Sequence, residues 1–130
     1  MKEFLVIAGN DVGSLALVAE SLGSVGVNIE AISAYGLDGK AIFRIITSDV
    51  ATATKALSKV PDVQIKEADT LIFKMPNRPG ELGKMTRKLA NKGINLESLY
   101  LVSRKPDFTE VAIKPAEKDM NKTKEVLGIK

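Results

Sequence analysis

Short runs of apolar, β-branched residues alternate along the chain with stretches in which apolar residues recur every three or four positions. Residues 4–8 form the first apolar run and predict a strand. The next apolar residues have the spacing that lines one face of a helix: Leu15, Val18, Ala19 and Leu22. Gly26 is expected to end this helix, because glycine adopts the left-handed conformation without a Cβ clash.

The pattern then predicts a hairpin, a second helix and a further strand. Strands are expected at residues 28–35 and 40–47, on either side of a turn at 36–39 that has a glycine at each end. The second helix should begin near Asp49, with Ser48 or Asp49 as its N-cap, and end at Pro61. Residues 63–66 alternate as a fourth strand. This β-α-β-β-α-β order predicts an α+β, ferredoxin-like unit with two helices on one face of an antiparallel sheet.

The same pattern repeats at a constant offset of 67 residues, as three separate stretches show: 4–7 with 71–74, 13–15 with 80–82, and 26–30 with 93–97. Self-similarity of this kind predicts two tandem modules, at residues 1–67 and 68–130. In the second module a helix is predicted at 115–127, which leaves too few residues for a fourth strand. The strand at 71–75 should then have an unpaired edge, which invites a second chain.

Several strands are apolar at consecutive positions, for example at residues 4–8 and 41–46. A strand in an antiparallel sheet with one face in water should alternate apolar and polar residues instead. Both faces are therefore expected to be covered, either within the chain or in a homodimer that forms through sheet edges or helices.

Composition removes several kinds of chemistry. The 130 residues include no cysteine and no histidine, which argues against thiol nucleophiles, histidine triads and most transition-metal sites. We expect no cofactor and no metal. The apolar runs are far shorter than the ~20 residues that span a bilayer, and no secretory signal is evident, so a cytoplasmic protein without membrane contact is expected.

The net charge of +3 is too small to indicate nucleic acid, but its distribution is uneven. Residues 1–67 carry 6 basic and 8 acidic side chains, whereas residues 68–130 carry 13 and 8. The second module is therefore the basic one.

Candidate ligand-binding residues of the second module lie where its first strand meets its first helix. Pro79 is expected to set φ in the first helical turn, and Gly80 to leave the N-terminal amides of the helix open to a carboxylate. Asn77 can donate to a carboxylate or accept from an ammonium group, and Arg78 stands beside it. Asn95, at the start of the next strand, completes the group.

Asn10, Asp11, Gly13 and Asn28 are the matching residues of the first module. Asp11 stands in the place of Arg78 and is expected to repel a carboxylate ligand, so one working site per chain is an alternative to two. A further alternative has no ligand at all. The glycines would then serve turn geometry, and the asparagines would cap helices or turns.

Three segments in this order, residues 77–82, 93–96 and 108–113, resemble the ACT domain family. The resemblance covers nearly the whole chain as a tandem pair, with the first copy more divergent. It implies a stand-alone regulatory module that binds a free amino acid at an interface between adjacent modules. Such a module would pass a change of interface geometry to a regulated enzyme or to its own oligomer.

Two other functions occur on this fold. Acylphosphatases hold phosphate with an arginine and an asparagine, types that Arg78, Asn77 and Asn95 offer, but no acid–base constellation accompanies them. RNA-recognition modules need an aromatic-rich strand for base stacking, which residues 40–45 and 108–113 do not supply. We therefore expect a regulatory module and neither an enzyme nor a nucleic-acid-binding protein.

Overall fold

The computed structural model describes residues 1–130 and separates into two units, Met1–Asp69 and Thr70–Lys130, here called module 1 and module 2. Module 1 contains four strands in the antiparallel order β2-β3-β1-β4 and two helices. Its elements are β1 (Lys2–Gly9), α1 (Ser14–Gly23), β2 (Ile29–Leu37), β3 (Lys40–Thr47), α2 (Val50–Ser58) and β4 (Gln64–Asp69).

The core of module 1 lies between its sheet and its two helices. Val18 and Leu22 on α1 and Leu57 on α2 are buried against Phe4 and Ile45 of the sheet. Of the two predicted N-cap candidates, Asp49 is the N-cap of α2, and its carboxylate accepts a hydrogen bond from the Thr52 N–H at 3.1 Å. This bond to the ionised form lowers the pKa of Asp49.

Module 2 repeats the arrangement without a fourth strand, and its sheet has the order β5-β7-β6. Its elements are β5 (Leu71–Pro76), α3 (Glu81–Asn91), β6 (Leu96–Arg104), β7 (Phe108–Pro115), a 3₁₀ turn (Glu117–Asp119) and α4 (Met120–Leu127). The α+β fold with two antiparallel sheets is thus confirmed. The predicted helix at 115–127 begins later than expected, because Pro115 pairs with Leu96 in the sheet.

Glycine ends the first helix of each module, as the pattern predicted. Gly26 and Gly93 have φ angles of 77° and 71°, in the left-handed region. The following residues then donate back into the helix at 3.0 Å, from Val27 N–H to the Leu22 carbonyl and from Ile94 N–H to the Leu89 carbonyl. These are the long bonds of a Schellman motif.

An ion pair is buried on the face of the first sheet that points away from its helices. The Arg44 Nη1 lies 2.9 Å from Glu3 Oε1, and the exposed fractions of the two side chains are 11% and 1%. Because removing one partner leaves the other charge buried without it, such pairs are costly to break.

Arg44→Met should therefore lower the free energy of unfolding by about 3 kcal/mol. Lys2→Met is the matched control, because Lys2 forms an ion pair with Asp69 at 3.0 Å that is open to water. Urea unfolding followed by circular dichroism measures both variants. Equal losses for the two would contradict the assignment of Glu3 and Arg44 as a structurally important pair.

Candidate functional site

The loops that precede α1 and α3 form the same turn. The Ser14 N–H donates to the Asp11 carbonyl at 3.2 Å, and the Glu81 N–H to the Arg78 carbonyl at 3.4 Å. Gly13 and Gly80 have φ, ψ angles of 91°, −4° and 89°, −12°, those of the third residue of a type II turn. A Cβ atom at either glycine would meet no atom within 4 Å. Glycine is therefore required by the positive φ angle and not by lack of space.

The structure corrects the expected role of Pro79. Gly80 is the N-cap of α3, so Pro79 lies before the helix, in the second position of the turn. Its fixed φ suits that position, and it therefore stabilises the turn rather than the first helical residue.

Each turn leads directly into a helix, and no side chain caps the N-terminus of that helix. The first bonds across these helix starts run from Leu17 N–H to Gly13 and from Lys84 N–H to Gly80. The intervening amides have no acceptor: Leu15 and Ala16 in α1, and Leu82 and Gly83 in α3. Free amides at the positive end of a helix dipole attract anions.

Asn10 and Asn77 tie these loops to the tip of the neighbouring hairpin. Their backbone N–H groups donate to the carbonyls of Gly39 at 3.3 Å and Asp107 at 3.2 Å. The Asn77 Nδ2 also donates to the Lys105 carbonyl at 2.8 Å. One of its two side-chain donors is therefore occupied, while its carbonyl oxygen remains an acceptor.

Arg78 is engaged within its own loop. Its Nη2 lies 3.2 Å from Glu81 Oε2, which also contacts Lys84 Nζ at 3.3 Å. Desolvation opposes ionisation of Glu81, but these two cations outweigh it and hold its pKa below the usual range. An anionic ligand at Arg78 would compete with this carboxylate, which weakens the comparison with a phosphate-binding enzyme.

The other two predicted residues, Asn28 and Asn95, lie at the opposite end of their sheets. In module 2, Pro76 pairs with Phe108 near the loop, whereas Leu96, next to Asn95, pairs with Pro115. Phe108 and Pro115 are seven positions apart on β7, which corresponds to roughly 23 Å along a strand. Asn28 is placed in the same way in module 1, since Ile29 pairs with Thr47. Within one module, therefore, these asparagines and the loops do not share a small ligand.

A cavity of about 540 Å³ opens beside the loop of module 1. The loop residues Asn10, Asp11 and Gly13 line one side of it. The rest is lined by side chains of α1, β2 and β3, which include the small Ala16, Ala19 and Ala34 and the aromatic Tyr35 and Phe43. Its volume is within the range of small-ligand pockets. Sequence reasoning did not find these alanines, although Ala16 and Ala19 have the spacing of one helical turn.

Known proteins match this chain at two levels, a family model over module 2 and solved structures over nearly the whole chain. Residues 70–128 match the family model of the ACT domain. A solved protein from Bacteroides thetaiotaomicron is 29% identical, with a TM-score of 0.85 over 98% of this chain and 85% of that one. No curated protein matches the chain in sequence.

Two aspartate kinase structures share the fold at lower identity. The regulatory subunit of aspartate kinase from Thermus thermophilus, in its ligand-free form, is 17% identical, with a TM-score of 0.70 over 98% of this chain and 89% of that one. The structure of aspartokinase alpha and beta subunits is 20% identical, with a TM-score of 0.64 over 97% and 89%.

The part of the chain that matches the ACT domain includes the type II turn before α3, and module 1 repeats the geometry of that turn. The chain is therefore similar to ACT-domain proteins, through the family match of module 2 and the fold that the whole chain shares with solved structures. None of its helices is long and apolar enough to cross a membrane.

Gly80→Ala should lower the free energy of unfolding by roughly 1 kcal/mol, because an alanine at φ 89° is strained. Gly83→Ala is the matched control three residues on, inside α3 and with open space around it. It should raise stability by about 0.5 kcal/mol. Urea unfolding of both variants tests the turn, and a neutral Gly80→Ala would contradict it.

Proposed function

We propose that this protein binds a free amino acid at the loop between β1 and α1 of module 1. One observation carries the proposal: the cavity there lies at two free helical amides and also at the carboxylate of Asp11. An amino acid has a carboxylate and an ammonium group on one carbon. Donors and an acceptor beside one cavity suit both groups.

In this proposal the ligand carboxylate accepts hydrogen bonds from the N–H groups of Leu15 and Ala16. The ammonium group donates to the Asp11 carboxylate and to the side-chain oxygen of Asn10. The sequence suggested that Asp11 repels the ligand. We propose instead that it binds the other end of the zwitterion, since both residues line the same cavity.

The ligand side chain would extend over apolar walls. Ala19 and Ala34 face the cavity together with the aromatic ring of Phe43. Small wall residues leave room for a side chain of moderate size, and the lack of cations among the lining residues disfavours acidic ligands.

The matching loop of module 2 is the weaker candidate. At the offset of 67 residues, Thr86 and Leu101 replace Ala19 and Ala34 and take up more space. Arg78 is paired with Glu81, and Asn77 already donates to Lys105. We therefore propose module 1 as the principal site, with Asn77, Arg78, Pro79 and Gly80 as a second, weaker site.

Binding would act on an interface of the protein. A regulated enzyme of amino-acid metabolism is the proposed partner, which the likeness to the regulatory subunit of aspartate kinase supports. A homodimer formed through sheet edges or helices, in the cytoplasm, is the proposed state. The ligand can shift this assembly only by its differential affinity for two states.

A thermal-shift panel of the twenty amino acids tests the ligand class. A specific ligand at about 100 times its Kd stabilises the native state by about 2.7 kcal/mol and should raise Tm by several degrees. Ala34→Phe, which fills the cavity from an exposed position, should abolish the shift. Leu101→Phe, the matched change in module 2, should preserve it.

The two variants separate the possible outcomes. If Leu101→Phe alone loses the ligand-induced rise in Tm, the binding site lies in module 2 and not in module 1. A flat response to all twenty amino acids would contradict the ligand class itself.

The variant Asp11→Asn tests whether the Asp11 carboxylate binds the ammonium group of the ligand or repels its carboxylate. If Asp11 pairs with the ligand, affinity measured by calorimetry should fall about tenfold, since a charge-assisted hydrogen bond contributes ~1.5 kcal/mol or more. Asp38→Asn, at the tip of the hairpin of module 1, is the control. Tighter binding by Asp11→Asn would show that the carboxylate repels the ligand.

A further inference from the structure

A groove of about 420 Å³ runs between the two helices of module 1, and we call it the α1–α2 groove. Its apolar walls include Leu17 of α1, Val25 just after α1, and Val60 and Pro61 just after α2. Leu17 and Val25 are large apolar residues with exposed fractions of 44% and 48%. Exposed apolar residues that gather around one groove are typical of an interaction surface.

Module 2 shows that this side of the helix is compatible with charge. At the offset of 67 residues, Leu17, Ser21 and Val25 each correspond to an exposed lysine. Lysine is an ordinary residue at a position that stays in water, whereas an apolar side chain gains free energy from burial. The contrast between the two copies indicates that module 1 buries this face against another surface.

Charges of opposite sign stand on the two sides of the groove. The charged residue of α1 is Glu20, whereas α2 and its C-cap carry Lys55 and Lys59. All three are exposed, and none of them forms an ion pair within the chain. Their charges are therefore available to a surface that covers the groove.

Glu20 and Lys55 point away from the core of module 1. Glu20 lies two residues from each of the buried residues of α1, Val18 and Leu22. At about 3.6 residues per turn, that position is on the opposite side of the helix. Lys55 stands in the same relation to the buried residues two positions before and after it. A surface that docks onto these helices therefore meets both charges.

The two helices run antiparallel. Leu17, near the start of α1, lines a second cavity together with Pro61, which lies beyond the end of α2. Glu20 is one turn further along α1, so it is level with the part of α2 between Lys55 and Lys59.

A second copy can pair both sets of charges at once. When two copies stack their helices about a twofold axis parallel to the helices, α1 of each copy lies over α2 of the other. The Glu20 carboxylate of each copy then meets Lys55 and Lys59 of the other, and the apolar walls of the two grooves cover each other. Stacking α1 on α1 would bring like charges together, so charge selects the first arrangement.

We propose that the α1–α2 groove is the interface of a homodimer and is closed by the same face of a second copy. The homodimer belongs to the proposed function, and this inference assigns the surface that forms it. The same helix serves the proposed amino acid site, since Ala16 and Ala19 line that cavity and Leu17 lines the groove. A ligand with different affinities for monomer and dimer would shift the equilibrium through α1.

Sedimentation equilibrium over a range of concentrations tests the interface. Two short helices from each copy bury on the order of 1,000 Å² in total, at the lower limit for a specific interface, so the wild-type dimer should dissociate on dilution. Glu20→Lys brings only positive charges together at both symmetric contacts and should raise the dissociation constant about tenfold or more. Leu17→Lys, which copies module 2, should also raise it. Arg87→Glu, at the position of α3 that matches Glu20, is the control and should leave it unchanged.

A mixture of two variants tests the pairing itself. Lys55→Glu combined with Lys59→Glu should weaken the dimer as Glu20→Lys does. When the two variants are mixed, opposite charges face each other at both contacts, so a heterodimer should form about as tightly as the wild-type dimer. A fluorescent label on one variant detects the heterodimer. The substituted positions are exposed, and urea unfolding checks that each variant keeps its fold.

The outcomes separate this inference from the rest of the proposed function. A dimer that both charge reversals leave unchanged would place the interface elsewhere and overturn the inference. Weakening by each reversal without rescue in the mixture would overturn it as well. A wild-type monomer at every concentration would contradict the homodimer itself. Ala34→Phe should dimerise normally, so a failure of amino acid binding would leave the interface standing.

Discussion

The turn between the first strand and the first helix is the constraint on which each module depends. A type II turn closed by a glycine at positive φ brings the chain from the sheet into the helix. Because that glycine is also the N-cap, no side chain satisfies the second and third amides after it. The backbone conformation that reverses the chain therefore also creates an open, positively polarised helix end. Packing and binding potential arise from one local geometry.

The two modules use this shared backbone for different purposes. In module 1 the sheet is complete, the space beside β1 is nearly filled, and small alanines open a cavity at the helix N-terminus. In module 2 the sheet has three strands, a space of about 600 Å³ lies between β5 and α3, and the larger Thr86 and Leu101 occupy the positions of Ala19 and Ala34. Duplication has thus placed open space on different sides of the same helix in the two copies.

Charge follows this division. The excess of basic side chains belongs to module 2, where Lys84, Arg87 and Lys88 of α3 line the space beside β5. In module 1 the charges of Glu3 and Arg44 are buried together within one sheet, and Asp11 lies at the mouth of the cavity. A net charge of +3 conceals this difference, because the effects of charge depend on local geometry and burial.

The sequence by itself determined the duplication, the order of strands and helices, and the helix ends at Gly26 and Gly93, and it narrowed the cap of α2 to Ser48 or Asp49. These features depend on residues close together along the chain, which apolar spacing and turn chemistry predict directly. Tertiary structure alone decided that Asn28 and Asn95 lie a sheet's length from the loops and that Asn77 donates to the Lys105 carbonyl. It also decided that alanines of α1 and β2 line a cavity. Strand register and side-chain packing bring together residues distant in sequence, and no local pattern records those distances.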